Sequence, residues 1–450
     1  MDLRLVIDHP ESTDWRPEMD PLFEAHFPRI KDAFAQRGVK INVAYAADGD
    51  VEGARDPQAG QAGRVVDYVY REGYLLTLAD GDNIQKIRRA LPGIDPIGRP
   101  QRGRLVVLSI AGVVGGPSVP QALDIIDRTY PEDAAAADEG KPPLASADHI
   151  VEQAKMCAPT EPEVPTGNAP QPWPKPRRAR RRSCRPWPRR RGKRTPQILI
   201  PDTGLVMGAA SHPWLKGVKG DPDELEQRPG QPPLIMFFHA HGTFVAGVAR
   251  CMAPAAGVFV ANLLPASGAE PESSLVEKLN IIADKQGPDM VILAAGSYNR
   301  KRWLSLSFED FHRQHKDIAL IAAAGNDSTS EPFHPAAAPW AISVGALGAD
   351  GLHRAWFSNW GKVDVYALGE GIVNAYATGE YVYILPPRQG AIQTFDGMAR
   401  WSGTSFSAPL VGGLIADEMR RTGSKVDMAA QAVLDRAEEL DGVGWVLRVS

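Results

Sequence analysis

Short apolar runs that end in small or polar residues recur along the second half of the chain. They are ILIPDTG (198–204), VFVANLLP (258–265), DMVILAAG (289–296), IALIAAAG (318–325) and WAISVGAL (340–347). Between them, HGTFVAGVARCM (241–252), SSLVEKLNIIADKQG (273–287) and FEDFHRQHKD (308–317) carry apolar positions at helical spacing. Strands that are apolar throughout and alternate with helices predict a mostly parallel sheet covered on both faces. In such a sheet the working residues gather at the carboxyl ends of the strands. The first half reads differently. Leu22, Phe23, Phe27, Ile30 and Phe34 fall on one helical face. LRLVID (3–8), KINVAYAA (40–47), VVDYVYREGYLLTLADG (65–81) and RLVVLSIAGVV (104–114) read as strands, while DNIQKIRRALPG (82–93) and SVPQALDIIDRTYP (118–131) read as helices with polar caps. These elements predict a smaller α/β unit over residues 1–130.

From 131 to 197 the pattern fades. PEDAAAADEGKPPLAS (131–146) and TEPEVPTGNAPQPWPKP (160–176) are rich in proline and small or acidic residues, so the stretch is expected to be a linker between the first unit and a second domain over 198–450. It ends in a basic strip with 12 Lys and Arg and no acidic residue between Asn168 and Thr195. The net charge of −4 therefore leaves about −16 on the rest of the chain, and the strip reads as a solvated connector. Nucleic acid is not expected as a partner, because nothing else in the chain is basic. An abrupt bias to Arg, Pro, Trp and Cys also raises the reading of a shifted translation frame there.

The three cysteines, Cys157, Cys184 and Cys251, are odd in number and have no metal-ligand spacing, which excludes a disulfide framework or a zinc site. The N-terminus has acidic residues where a secretory signal needs a basic start, and no run approaches the roughly 18 apolar residues of a membrane helix. The expectation from this is a cytoplasmic protein with no membrane partner.

Three motifs remain, in the order Asp, His, Ser: DTG at 202–204, HGTFVAG at 241–247 and SGTSFSAPLVGG at 402–413. A serine hydroxyl needs a neighbouring base to become a nucleophile at neutral pH, and a carboxylate can hold that imidazole in one tautomer. Together the motifs resemble the subtilisin-like serine peptidases, and the likeness runs over roughly residues 198–420. The resemblance implies a three-layer α/β catalytic domain with Asp202, His241 and Ser405 as its triad. AAAGND (322–327) resembles the family's oxyanion segment, with Asn326 as side-chain donor. Ala294, Ala295 and Gly296 stand where the family has a Ser-Leu-Gly run that pairs with substrate, and Pro335 stands where the family has a cis proline. Phe406 replaces the commoner methionine after the nucleophile. Ala408 and Pro409 are expected to begin the helix that follows. His241 precedes Gly-Thr, whereas His239 does not, so His241 is the expected base.

The implied activity is hydrolysis of protein or peptide substrates by an endopeptidase, with no cofactor for catalysis. Structural calcium is common in the family, but no ligand loop matches here and no metal site is assigned. The first unit is expected to act as an intramolecular inhibitor. The alternative reading is a non-catalytic or dormant regulatory protein on the same fold.

Overall fold

The structure is a computed structural model that describes residues 21–45, 66–98, 103–153, 160–166, 171–172, 174–177, 195–265, 267–385 and 387–449. LRLVID, Cys157, Cys184 and most of the basic strip lie outside the described residues.

In the first unit, helix α1 (Pro21–Gln36) precedes strand β1 (Ile41–Tyr45) and the long strand β2 (Val66–Leu78). Helix α2 (Asn83–Ala90), strand β3 (Leu105–Ser109) and helix α3 (Val119–Thr129) follow, the last opened by a reciprocal cap between Ser118 and Gln121. The expected linker is corrected at its start. PEDAAAAD forms helix α4 (Pro131–Asp138), with proline at its first position and acidic residues in its first turn, and SADHIVE forms strand β4 (Ser146–Glu152). Every residue of β4 is buried, because it lies inside a sheet antiparallel to β2, pairing Leu75 with Ala147.

The second unit is built on parallel strands. Strand β5 (Gln197–Asp202) leads into helix α5 (His241–Met252), then strand β6 (Gly257–Asn262). A short strand β7 (Ala269–Pro271) leaves this sheet and pairs antiparallel with β4, Ala269 opposite Glu152, so the first unit's sheet is completed by the second. Next come helix α6 (Glu272–Gln286), strand β8 (Met290–Leu293), helix α7 (Leu306–Gln314), and strands β9 (Ala319–Ala323), β10 (Ile342–Leu347) and β11 (Val365–Leu368). Strands β12 (Ile372–Val382) and β13 (Ile392–Trp401) form an antiparallel hairpin. Helix α8 (Thr404–Thr422), helix α9 (Val426–Leu434) and strand β14 (Gly444–Leu447) complete the described chain.

The sheet order is β14, β11, β10, β9, β8, β5, β6, all parallel, with one short strand at each edge. Both of its faces are covered. Ile198 and Ile200 point to the side of α5 and α8, and Leu199 points to the side of α6 and α7. Helix α8 passes through the interior with 15 residues buried, packed so closely that a Cβ at Gly413 would stand 2.7 Å from the Ala249 carbonyl oxygen. Pro409 sits inside this helix rather than at its start, so the Ser405 carbonyl loses the N–H it would otherwise receive. The 374–400 stretch lies in the β12–β13 hairpin. Its Tyr376, Tyr381, Phe395 and Trp401 belong to the main core.

Candidate active site

Asp202 ends β5 where the strand order reverses, β6 lying on one side and β8 on the other. Such a reversal opens a crevice above the strand ends. The Asp202 carboxylate is buried and accepts from the Thr203 N–H at 2.7 Å. His241 is the first residue of α5, and its Nδ1 lies 3.0 and 2.9 Å from the two Asp202 oxygens. An imidazole held this way carries its proton on Nδ1 and leaves Nε2 as the basic atom. Trp401 meets the ring edge-on at 5.4 Å and Phe406 lies at 5.6 Å, so apolar rings wall the pair off from water.

The backbone entering α5 is unusual. Ala240 has φ +67°, a left-handed conformation rare outside glycine. Its N–H donates to Asp223 Oδ2 at 2.7 Å, and the same oxygen accepts from the Thr203 hydroxyl at 2.9 Å. That hydroxyl accepts from the Gly242 N–H at 3.1 Å. Asp223 thus ties the turn before His241 to the residue after Asp202. Burial pushes its carboxyl up to about 6, and nothing in GDPDEL marks it as special in sequence. His239 is set apart from the pair: its Nδ1 accepts from the Met236 N–H at 3.2 Å, and burial lowers its pKa to about 4.

Ser405 is the second residue of α8, where N–H groups have no partner within the helix and the helix field favours negative charge. Beside it, Asn326 Oδ1 accepts from the Thr404 N–H at 2.9 Å and the Thr404 hydroxyl at 2.8 Å, which turns its Nδ2 donor the other way. The Ser405 hydroxyl donates to the Gln153 carbonyl at 3.3 Å rather than to the imidazole.

Gln153 follows directly on β4 and brings the first unit into this crevice. Its side-chain amide donates to Asp202 Oδ1 at 2.6 Å and its N–H donates to the Gly268 carbonyl at 3.0 Å. The preceding Glu152 exchanges two backbone hydrogen bonds with Gly296, both 2.9 Å. Gly296 has no room for a side chain, since a Cβ would meet the His334 carbonyl oxygen at 2.6 Å. Ala294 and Ala295 are buried at the start of this segment, and the peptide bond between His334 and Pro335 beside it is cis. Val151 packs with Leu263, Leu264 and Ala295. Glu152 and Gln153 were not expected at the site, because their segment reads as linker; the apolar, β-branched character of HIVE was the available signal.

Beyond six residues outside the described set, the chain reappears on the other side of the pair. Trp401 Nε1 donates to the Thr160 carbonyl at 2.6 Å, and Glu163 and Arg400 exchange two backbone hydrogen bonds of 2.9 and 2.7 Å. Among the described residues no cluster of three or more His, Cys, Asp or Glu side chains is placed to hold a metal ion, and no helix is long and apolar enough to cross a membrane. Cys251 is buried with its thiol pushed up to about 12 by burial.

Residues 194–442 match the model of the subtilase family. A thermophilic serine proteinase from Bacillus sp. (strain AK1) is 29% identical over 273 residues, which cover 57% of this chain and 60% of that protein. Thermitase from Thermoactinomyces vulgaris is 27% identical over 265 residues, covering 55% of this chain and 83% of the relative. The chain thus spans about three fifths of the length of the thermophilic proteinase. The fold is shared with the crystal structure of fervidolysin from Fervidobacterium pennivorans, described as a keratinolytic enzyme related to subtilisin, at a TM-score of 0.52 and 18% identity over 84% of this chain and 60% of that one. With the family model matched across more than half of its length, this chain belongs to the subtilase family.

Proposed function

We propose that this protein is a serine endopeptidase in which Ser405 is the nucleophile, His241 the base and Asp202 the group that orients the imidazole. Ser405 Oγ attacks the carbonyl carbon of a peptide bond while its proton passes to His241 Nε2. The charge on the carbonyl oxygen falls to Asn326 Nδ2 and the Ser405 N–H. When the carbon–nitrogen bond breaks, the proton moves from His241 to the departing amine. Water then hydrolyses the serine ester by the same route. No cofactor enters these steps. Ala294, Ala295 and Gly296 form the wall along which a polypeptide substrate pairs.

The observation that carries this reading is the course of the protein's own chain. Glu152 lies along Gly296 as a strand, and Gln153 reaches both the Ser405 hydroxyl and the Asp202 carboxylate. A polypeptide already rests where a substrate backbone would lie. The same contacts support an inhibitory role for the first unit, extended from residue 130 to Gln153. Ion pairs of Arg37 with Glu270, Arg300 with Asp124 and Asp127, and Arg313 with Asp80 hold it against the second unit.

Ser405→Ala is expected to lower turnover of a peptide substrate by about 10⁶, the size of effect known for subtilisin. Once the segment between Gln153 and Thr160 has been cut, a serine-reactive phosphonate should label the parent and not the variant. Equal turnover by both would rule out Ser405 as nucleophile. The occupied crevice also favours the second reading, a dormant protein. That reading predicts no labelling even after the segment between Gln153 and Thr160 has been cut.

A further inference from the structure

Resting on that reading, we propose that the tip of the β12–β13 hairpin is a carboxylate-recognition site for the leaving-group side of an acidic polypeptide, held in this form by Glu161. The direction of the chain supplies the side. It enters along Gly296, reaches Ser405 at Gln153, and emerges at Thr160 against Trp401, whose ring packs on His241. A polypeptide following the same course has its nucleophile-facing bond before the hairpin, so the hairpin reads residues that depart with the amine.

The site is built for a carboxylate. Glu161 is buried to 2% exposure, with Oε1 accepting from the Ile384 N–H at 2.7 Å and the Tyr381 hydroxyl at 2.9 Å. Oε2 accepts from the Leu385 N–H at 3.2 Å. Two backbone donors converging on one side chain at a hairpin end cannot be met by an apolar residue without leaving buried N–H groups unpaired. A second acidic residue is met differently. Glu163 pairs with the guanidinium of Arg400 and lies 3.2 Å from that of Arg388, while its backbone adds to the edge of β13. Between them, the Pro162 carbonyl accepts from the Tyr383 hydroxyl at 3.0 Å. The ligand class is therefore an extended segment with acidic residues at alternate positions. When the strap from Thr160 to Glu163 lifts away, the same donors are open to such a segment in another chain.

The test uses the full chain carrying Ser405→Ala, so that peptide is not consumed, with Glu161→Ala and Glu163→Ala to loosen the strap. Fluorescent peptides TEPEV and TQPQV, blocked at both ends, are titrated against it. The acidic peptide is expected to bind at least tenfold tighter than the amide peptide, and Tyr381→Phe or Arg400→Ala should narrow that ratio. If Glu161→Ala does not fold, Glu161→Gln keeps the shape of the strap and the ratio is read there. Equal binding of the two peptides, or binding of neither, overturns the inference. A parallel assay in the Ser405 chain, with the same strap substitutions and cut between Gln153 and Thr160, compares substrates that carry EPE or QPQ after the cut bond, expecting about a tenfold advantage in kcat/KM for EPE. Selective binding with no cleavage of either substrate would sink the peptidase reading and leave the carboxylate site standing. Cleavage at equal rates with unselective binding does the reverse.

Discussion

The two flanks of the Asp202–His241 pair are held by opposite means. Upstream, Ile150 to Glu152 join a ladder between β7 and Gly296, and Val151 is buried among aliphatic side chains, so the backbone and apolar area do most of the holding. Downstream, Glu161 and Glu163 are gripped through their carboxylates by hairpin N–H groups, a tyrosine hydroxyl and two arginines. A ladder accepts almost any side chain that fits its pockets, whereas a buried carboxylate site rejects those that cannot satisfy its donors. The contrast assigns breadth to one side of the crevice and selection to the other.

Removing the centre should leave both flanks intact. Asn326→Ala is expected to lower kcat by about 10²–10³, the effect of the equivalent loss in subtilisin. Amide hydrogen exchange at β4 and at Thr160–Glu163 should be unchanged. Loss of protection at either flank would mean that the three regions are not independent.

The next largest effect concerns pH. Asp148, on β4, accepts from the N–H of Ser273 at 3.1 Å and its hydroxyl at 2.8 Å, capping α6 from the other unit. Burial, reinforced by the charge of Glu272, pushes its carboxyl up to about 6, against the pull of Ser273 and of Arg71 at 3.6 Å. His149 is also packed here, against Glu272 at 3.3 Å. A folded-state value above the unfolded one means that the native state holds the proton more tightly. The contribution is complete below about pH 4 and is lost as pH rises towards 6, by up to about 3 kcal/mol. Denaturant titrations from pH 4 to 7 should show this decline, and Asp148→Asn should make it shallower, leaving the share that Asp223 and Glu161 contribute. Burial raises the Glu161 carboxyl too, against its hydrogen bonds from Ile384, Tyr381 and Leu385, so the downstream flank loosens in the same direction. A slope unaltered by Asp148→Asn would assign the effect elsewhere.

Gly296→Ala strikes the upstream flank alone. Its Cβ would displace Phe333 or the His334 carbonyl, at a cost of the two hydrogen bonds to Glu152, about 1–3 kcal/mol. Exchange should quicken at Glu152 and Gln153 but not at Glu163. The smallest effect is expected from Glu163→Gln, below about 1 kcal/mol, because its partner Arg400 is half exposed and water screens the pair. A larger loss in thermal melts would show that the downstream flank leans on Glu163 as much as on Glu161.

The alternation of apolar runs and helices from Gln197 onward was readable because each element is locally consistent, and α5, α6 and α7 lie where periodicity places them. The Asp-Thr-Gly and His-Gly-Thr motifs likewise point to the buried pair. What escaped was settled by distant partners. Strand β4 owes its burial to β2 and β7, at least 70 and more than 110 residues away in sequence, so composition alone reads it as linker. Its product at the site, Gln153, carries no signature in sequence. Asp223 acts through a left-handed alanine that sequence does not reveal. Pro409 was misplaced for a related reason: α8 begins five residues earlier, at Thr404, and the burial around it tolerates one missing hydrogen bond.

Arg177 is fastened to the Cys251 carbonyl through its N–H at 2.7 Å. If the peptide between Gln153 and Thr160 were severed, the two flanks would follow different laws of dilution. The upstream piece would leave as a separate molecule and could return only by a bimolecular encounter. The downstream piece would stay covalently joined to the second unit, so its return to its berth would remain an intramolecular event. Dilution would then clear one side of the crevice and hardly touch the other, so an acidic competitor would have to outbid a resident that never drifts off.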